Sequence, residues 1–411
     1  MRCRGRAACV VALGVVALAT ANGTADPSPR PSPLAGEKVT GTPTPPTPIA
    51  TSTSAPTPPS FLPAAPGYAW SFPRDHWKHD GYRNEWWYFT GQLSSAGTPA
   101  RRFGYQLTFF RVGLLPRRPD LASPWTTANL VMVHAAISDL DGGSHVFSEV
   151  LWREMPYLGA FAPYPEHPIA WARAPAGTAG RWTLDLDGEV WRMEVEDRTT
   201  GLAFRLAARP ERPLVFQGPG GLSRKAQAEG YASLYYSFTR LATEGTLTVN
   251  GGTHAVRGTS WMDREIGSSQ LATSQVGWDW FGLRLADGRD LTLYVLRRAD
   301  GSIDFARGTL VERGGAVRWL RGDELTVRAT GRWTSPASGA TYPAGWRVEV
   351  PGAGLALDVA PSLADQENRD ALAGGVVYWE GAVRVRDPAG TDAGEGYVEL
   401  TGYGKDTRPP I

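Results

Sequence analysis

The stretch GYRNEWWYFTGQL, Gly81–Leu93, decides how the rest of the chain is read. One carboxylate, Glu85, precedes Trp86, Trp87, Tyr88 and Phe89. Successive side chains on a strand point to opposite faces. Glu85, Trp87 and Phe89 therefore share one face, and Trp86, Tyr88 and Thr90 the other. Large rings on both faces mean that neither is left to water. A closed barrel set against a second barrel supplies that environment: one face lines the lumen, the other meets the neighbour or a covering loop.

Outward from this stretch the pattern continues. RFGYQLTFFRV (102–112), ANLVMVHAAISDL (128–140), WTLDLDGEVWRMEVED (182–197) and DLTLYVLRR (290–298) are short runs, many alternating, and turns such as LDGE and ADGR fall among them. Period-two runs at this spacing predict an all-β protein of antiparallel sheets. EWWYFTGQL recurs 192 positions later as GWDWFGLRL, aligning Trp86 with Trp278, Tyr88 with Trp280, Phe89 with Phe281 and Leu93 with Leu285. A weaker echo pairs LYYSFTRL with VVYWEGAVRV. Two similar β-barrel domains in tandem are expected, over residues 67–271 and 272–411.

The N-terminus reads as a signal peptide over residues 1–25. Arg2, Arg4 and Arg6 precede an apolar run that ends in Ala19-Thr20-Ala21. Both cysteines, Cys3 and Cys9, lie inside it, so the exported protein needs no disulfide. Residues 26–66 are rich in Pro, Thr and Ser, a composition that predicts a disordered tether. No later run approaches the length of a membrane-spanning helix. Charge is balanced, with 42 basic and 41 acidic residues, which argues against a nucleic-acid partner.

G-x-S-x-G, H-E-x-x-H, the P-loop and the dinucleotide fingerprint are all missing, and the six histidines are scattered. No metal and no cofactor is expected. The strongest acid cluster is SWMDREIGSS (260–269). Asp263, Glu265 and Trp261 share a strand face, with Arg264 on the other. Two carboxylates held together raise one pKa, giving a general acid near neutral pH, and an aromatic wall shelters positive charge. The alternative is a structural pairing of these acids with Arg264 or a neighbouring arginine between the two units.

Asp279 stands between Trp278 and Trp280 and, if buried, needs a partner. Glu85, with Arg83 nearby, and Glu380 in YWEG occupy comparable aromatic settings. His134 alternates with Met132 and Ala136 and is either a general base or a hydrogen-bonded core group. The candidate catalytic residues are Asp263, Glu265, Asp279, Glu85 and His134. The candidate substrate-binding residues are Trp86, Trp87, Tyr88, Tyr236, Trp261, Trp278, Trp280, Trp379 and Glu380.

YRNEWWYFTGQL, YYSFTRL, GTSWMDREIGSSQL, GWDWFGLRLADGRDLTLYVLR, YWEGAV and GYVELTGYG, in that order, resemble the AttH/CrtC family. Its members are often labelled secreted hydrolases and include the carotenoid 1,2-hydratases. The resemblance runs from Tyr68 to Tyr403 and implies two lipocalin-like barrels. It also implies, for the hydratase members, addition of water to an isolated double bond of an acyclic carotenoid without a redox cofactor. Ile266 departs from the pattern, standing where an aromatic is expected after Asp-Arg-Glu.

Three functions stay open at this level. One is an exported enzyme that hydrates or dehydrates an isoprenoid- or lipid-like substrate. Another is a non-catalytic carrier of a small apolar ligand, with peripheral membrane association as a further option. A third is cyclase or isomerase chemistry directed by pocket shape alone.

Overall fold

Alternation of apolar residues drives both halves of the chain into antiparallel sheets, each curled around its own core. The structure, a computed structural model, describes residues 60–372, 376–404 and 409. The expected signal peptide, residues 1–25, and residues 26–59 of the expected tether lie outside the described residues. The last tether residues, 60–66, are a correction, because they belong to the fold. Leu62 donates its N–H to the Gly81 carbonyl and accepts from the Ser268 hydroxyl, and Ala64 is buried against Tyr82, Leu234 and Ile266. Phe61, Leu62 and Ala64 supply the apolar atoms that the preceding Pro/Thr run lacks.

The first sheet has 13 strands and the second 10. In the first, the opening strand Asn84–Ser95 lies between its hairpin partner Arg102–Gly113 and the closing strand Gly252–Ser269. In the second, Gln275–Leu285 lies between Asp290–Arg298 and Asp392–Leu400. Beyond the hairpin come Asn129–Asp139 and Ser144–Arg153 in the first sheet, and Ile303–Val311 and Val317–Arg321 in the second. Beyond the closing strand come Ala232–Val249 then Leu202–Pro210, and Val377–Arg386 then Leu355–Pro361. The strand order is the same, so the aromatic repeat is a repeat of topology: two lipocalin-like barrels in tandem.

Strand parity assigns the rings. Trp87 and Phe89 point into the first core with Phe109, Val131, Trp182 and Trp191. Phe281 and Leu283 point into the second with Trp346, Trp379 and Val398. The opposite faces of the same strands meet each other. Tyr88 and Trp261 pack against Trp280, Tyr294, Ala382 and Tyr397 in a third apolar cluster along the seam. A buried ring removes roughly 150–250 Å² from water, or about 4–6 kcal/mol as an upper bound. The seam therefore holds the two barrels as a core does.

Gly104 allows the close approach. A Cβ there would lie 2.7 Å from Tyr397 Oη and 3.2 Å from Ala382 Cβ across the seam. Gln92 Nε2 donates across it to the carbonyls of Val383 (3.0 Å) and Gly396 (2.9 Å). Arg212 and Arg240 of the first half bond the buried Asp290 carboxylate of the second.

Candidate active site

A cavity of about 100 Å³ sits in this seam, lined by side chains of both sheets. The first sheet contributes Trp86, Tyr88, Tyr235, Asp263 and Glu265, with Lys225 from the segment before Tyr235. The second contributes Trp278, Trp280, Tyr294, Tyr378, Glu380 and Glu399. Register explains the grouping. Asp263 lies directly opposite Tyr88 and Ser237, and Glu265 opposite Trp86 and Tyr235. Glu399 lies directly opposite Trp280 and Glu380. Directly opposed residues share a face, so each sheet presents acids and rings together.

Asp263 is buried and receives three side-chain donors. Tyr235 Oη bonds Oδ2 at 2.6 Å, Trp261 Nε1 bonds Oδ1 at 2.7 Å, and Ser237 Oγ also bonds Oδ1. Trp280, from the other sheet, donates to Tyr235 Oη at 3.1 Å, which makes a relay across the seam to Asp263. Burial pushes the Asp263 carboxyl up to about 7. The three donors oppose that rise, and the charge of Glu265 adds to it.

Glu265 is held by Lys225 Nζ at 2.7 Å, by the Ser233 hydroxyl, and by Gln270 Nε2 at 3.2 Å. Lys225 also lies 4.4 Å from the Tyr294 ring centroid. Burial pulls the Lys225 ammonium down, but Glu265 and its other neighbours outweigh it, so its pKa is raised.

On the opposite wall, burial first, and the charges of Glu265 and Asp263 after it, hold Glu399 at about 7. Burial and then Glu399 push Glu380 well above the usual carboxylate range. Glu380 and Tyr88 are buried on this wall and interact with each other through their side chains.

The structure thus brings Asp263, Glu265, Trp86, Tyr88, Trp278, Trp280 and Glu380 to the cavity, with Trp261 bonded to Asp263. It separates the others. Glu85 is fully buried in an ion cluster with Arg111 and Arg264, and the His79 N–H bonds it at 2.9 Å. Burial pushes its carboxyl up, but the charges of Arg111 and Arg264 outweigh that and hold its pKa well below the usual range, which favours the ionised form. Arg264, on the face opposite Asp263 and Glu265, pairs with Glu85 instead of with them.

Trp87 stacks on Phe161 and donates to the His76 carbonyl at 2.7 Å inside the first barrel. Tyr236 lies 2.6 Å from His76 Nδ1 in that same barrel. Trp379 belongs to the second core and donates to the Ala364 carbonyl. Asp279 binds Arg297 at 2.8 Å and Tyr403 at 2.9 Å. For Trp87, Trp379 and Asp279 the reason is parity, because each alternates with a residue that does reach the cavity.

His134 lies behind the wall, its Nδ1 2.7 Å from Tyr378 Oη. Its Nε2 faces Glu149, the residue directly opposite on the next strand, and Asp370 from the second half.

Among the cavity residues missed in the sequence are Glu399, Lys225, Tyr294 and Tyr378. Glu399 had a signal, since the repeat places it where Asp263 stands in the first unit. Lys225 had none, because it follows a three-residue strand, Leu222–Arg224, in an irregular segment.

The fold and the seam define a double-barrel protein with a buried, acid-rich aromatic site. The AttH-like family model matches residues 63–403, and the chain belongs to that family. The crystal structure of an AttH-type protein from Nitrosomonas europaea is 30% identical, covers 84% of this chain and 100% of that one, and has a TM-score of 0.70. Kievitone hydratase from Nectria haematococca shares the fold at 14% identity, with coverage of 85% and 98% and a TM-score of 0.59. CghA, solved with Sch210972, shares it at 12% identity, with coverage of 85% and 96% and a TM-score of 0.51. No curated protein matches the chain.

Proposed function

We propose that this chain is a hydratase-like enzyme. It adds water to, or removes it from, an isolated carbon–carbon double bond at one end of an isoprenoid- or lipid-like substrate. One observation carries the proposal: Asp263 and Glu399, from different sheets and both held near pKa 7, line one aromatic cavity. A pair of acids poised near neutrality is what proton transfer in both directions requires. The fold shared with kievitone hydratase agrees with this class of reaction.

In the hydration direction, protonated Asp263 gives its proton to one alkene carbon, and the π electrons form the new C–H bond. Positive charge develops on the other carbon, faced by the rings of Trp86, Tyr88 and Trp280. Tyr235, Ser237 and Trp261 stabilise the carboxylate left on Asp263. A water bonds to the cationic carbon and loses its surplus proton to ionised Glu399. The proton returns to Asp263 through solvent, so the balance is one water added. A cavity of about 100 Å³ admits the reacting end of such a substrate rather than all of a long chain.

A non-catalytic carrier has no use for four carboxyls in its ligand cavity, since their desolvation disfavours the folded state. An exported protein working beside a membrane belongs to the same proposal and rests on the N-terminal sequence. The test is incubation with acyclic isoprenoids and unsaturated lipids, followed by mass spectrometry for gain of one water. Products with the wild type and none with Asp263→Asn support the proposal. Equal yields from both overturn it.

A further inference from the structure

Outside the cavity, one cluster of side chains has an arrangement that the proposed reaction does not use. His134 and Glu149 are directly opposed on neighbouring strands of the first sheet, and Asp370 follows the strand Glu367–Arg369 of the second. One ligand-type atom from each lies within 4.8 Å of the others. His134 Nε2 is 3.4 Å from Asp370 Oδ2 and 4.0 Å from Glu149 Oε2.

Each of the three groups is oriented by a bond to its other polar atom. Glu149 Oε1 accepts the Ala371 N–H at 2.7 Å. Asp370 Oδ1 accepts the Leu372 N–H at 2.8 Å. His134 Nδ1 meets Tyr378 Oη at 2.7 Å. The Glu149 and Asp370 carboxyls also bond each other, and His134 Nε2 faces both. His134 is 97% buried by its 3% exposure, and its Nε2 has no hydrogen-bond partner among the described residues. A buried imidazole nitrogen left unsatisfied and aimed between two carboxylates is the signature of a missing cation.

We infer that His134, Glu149 and Asp370 form a divalent-metal site that clasps the two barrels together at the seam. A cation ~2.0–2.2 Å from each ligand atom holds those atoms ~3–4 Å apart, and His134 Nε2 already lies 3.4 Å from Asp370 Oδ2 and 4.0 Å from Glu149 Oε2. One imidazole with two carboxylates suits a first-row ion such as Zn²⁺ or Mn²⁺ better than Mg²⁺ or Ca²⁺, which take all-oxygen sets. The site also reaches the cavity. A metal on Nε2 requires the proton on Nδ1, and Tyr378 Oη is then its acceptor. The Tyr378 hydroxyl proton is thereby freed to point into the cavity that Tyr378 lines. The sequence hides this site because residues 134, 149 and 370 form no spaced motif and only the folded seam joins them.

The experiment uses the purified full chain, stripped with EDTA and titrated with Zn²⁺, Mn²⁺, Co²⁺ and Mg²⁺. Calorimetry and thermal melting read binding, and the visible spectrum of Co²⁺ reads the ligand set. Expected are one equivalent of Zn²⁺ or Mn²⁺ bound, a higher melting temperature with metal, and a Co²⁺ band of nitrogen–oxygen ligation. Glu149→Gln and Asp370→Asn should bind at least ~10-fold more weakly and lose the melting shift. No stoichiometric binding to the wild type overturns the inference whatever the variants do. So does unchanged affinity in both variants, provided that their circular dichroism shows them folded.

Discussion

Asp263 and Glu399 occupy the same register position in two different sheets. Asp263 is directly opposite Tyr88, and Glu399 is directly opposite Trp280, the residue that aligns with Tyr88 in the repeat. Packing the repeated faces against each other turns a duplicated acid into a pair across one cavity. Burial then holds both near 7, and the charge of Glu265 adds to the rise of each.

Turnover should follow a bell-shaped pH profile centred near 7, since one carboxyl must be protonated and the other ionised. Asp263→Asn should lower kcat by roughly 10²–10⁴-fold with ligand affinity nearly unchanged. Glu399→Gln should remove the acidic limb of the profile. Steady-state rates across pH 5–9 (about two units either side of the pair's apparent values) read both. A profile flat through neutrality would exclude the pair as the proton carriers.

Stability should run against the usual pH trend for carboxylates. Asp263 is raised from 3.8 to about 7 on folding. Between those values the folded state holds a proton that the unfolded state has lost, so this group's contribution falls as pH rises from 4 to 7 and is level above. Asp263→Asn removes that slope, so the variant should gain stability relative to wild type between pH 5 and pH 8. Urea denaturation at the two pH values measures it. The absence of any relative change would show that Asp263 is ionised throughout.

Glu85 should prove structural. Glu85→Gln leaves Arg111 and Arg264 buried without their shared anion, a change that costs about 3–5 kcal/mol. The carboxylate, held well below the usual range, contributes stability present above its unfolded pKa and lost only as pH falls through its low folded value. Denaturant midpoints decide the matter. A variant as stable as wild type would return Glu85 to the list of reactive acids.

The tryptophans should divide by strand parity. Trp87→Ala and Trp379→Ala empty the two barrel cores and should each cost about 3–5 kcal/mol. Trp86→Ala and Trp278→Ala, half-buried at the cavity, should cost less stability and more ligand affinity. Melting curves together with binding of a fluorescent apolar probe separate the two classes. Equal stability losses at all four would mean that the seam is sealed as tightly as the cores.

Alternation and repetition by themselves determined the all-β class, the tandem barrels and the face on which each residue of GYRNEWWYFTGQL lies. Those features follow from the two-residue period of a strand, which is local and so is written in the chain. Parity also placed Asp263, Glu265 and Trp261 on one face and Arg264 on the other. What meets each face was decided by tertiary structure alone. Glu85 found Arg264 on the neighbouring strand and Arg111 on the other side, so an acid beside four rings became an ion pair. Trp280 reached Tyr235 and thereby Asp263 only because two sheets dock face to face. Lys225, Glu399 and the His134–Glu149–Asp370 cluster came together in the same way. Such contacts join residues far apart in the chain, and burial sets their pKa values only once both surfaces have closed over them.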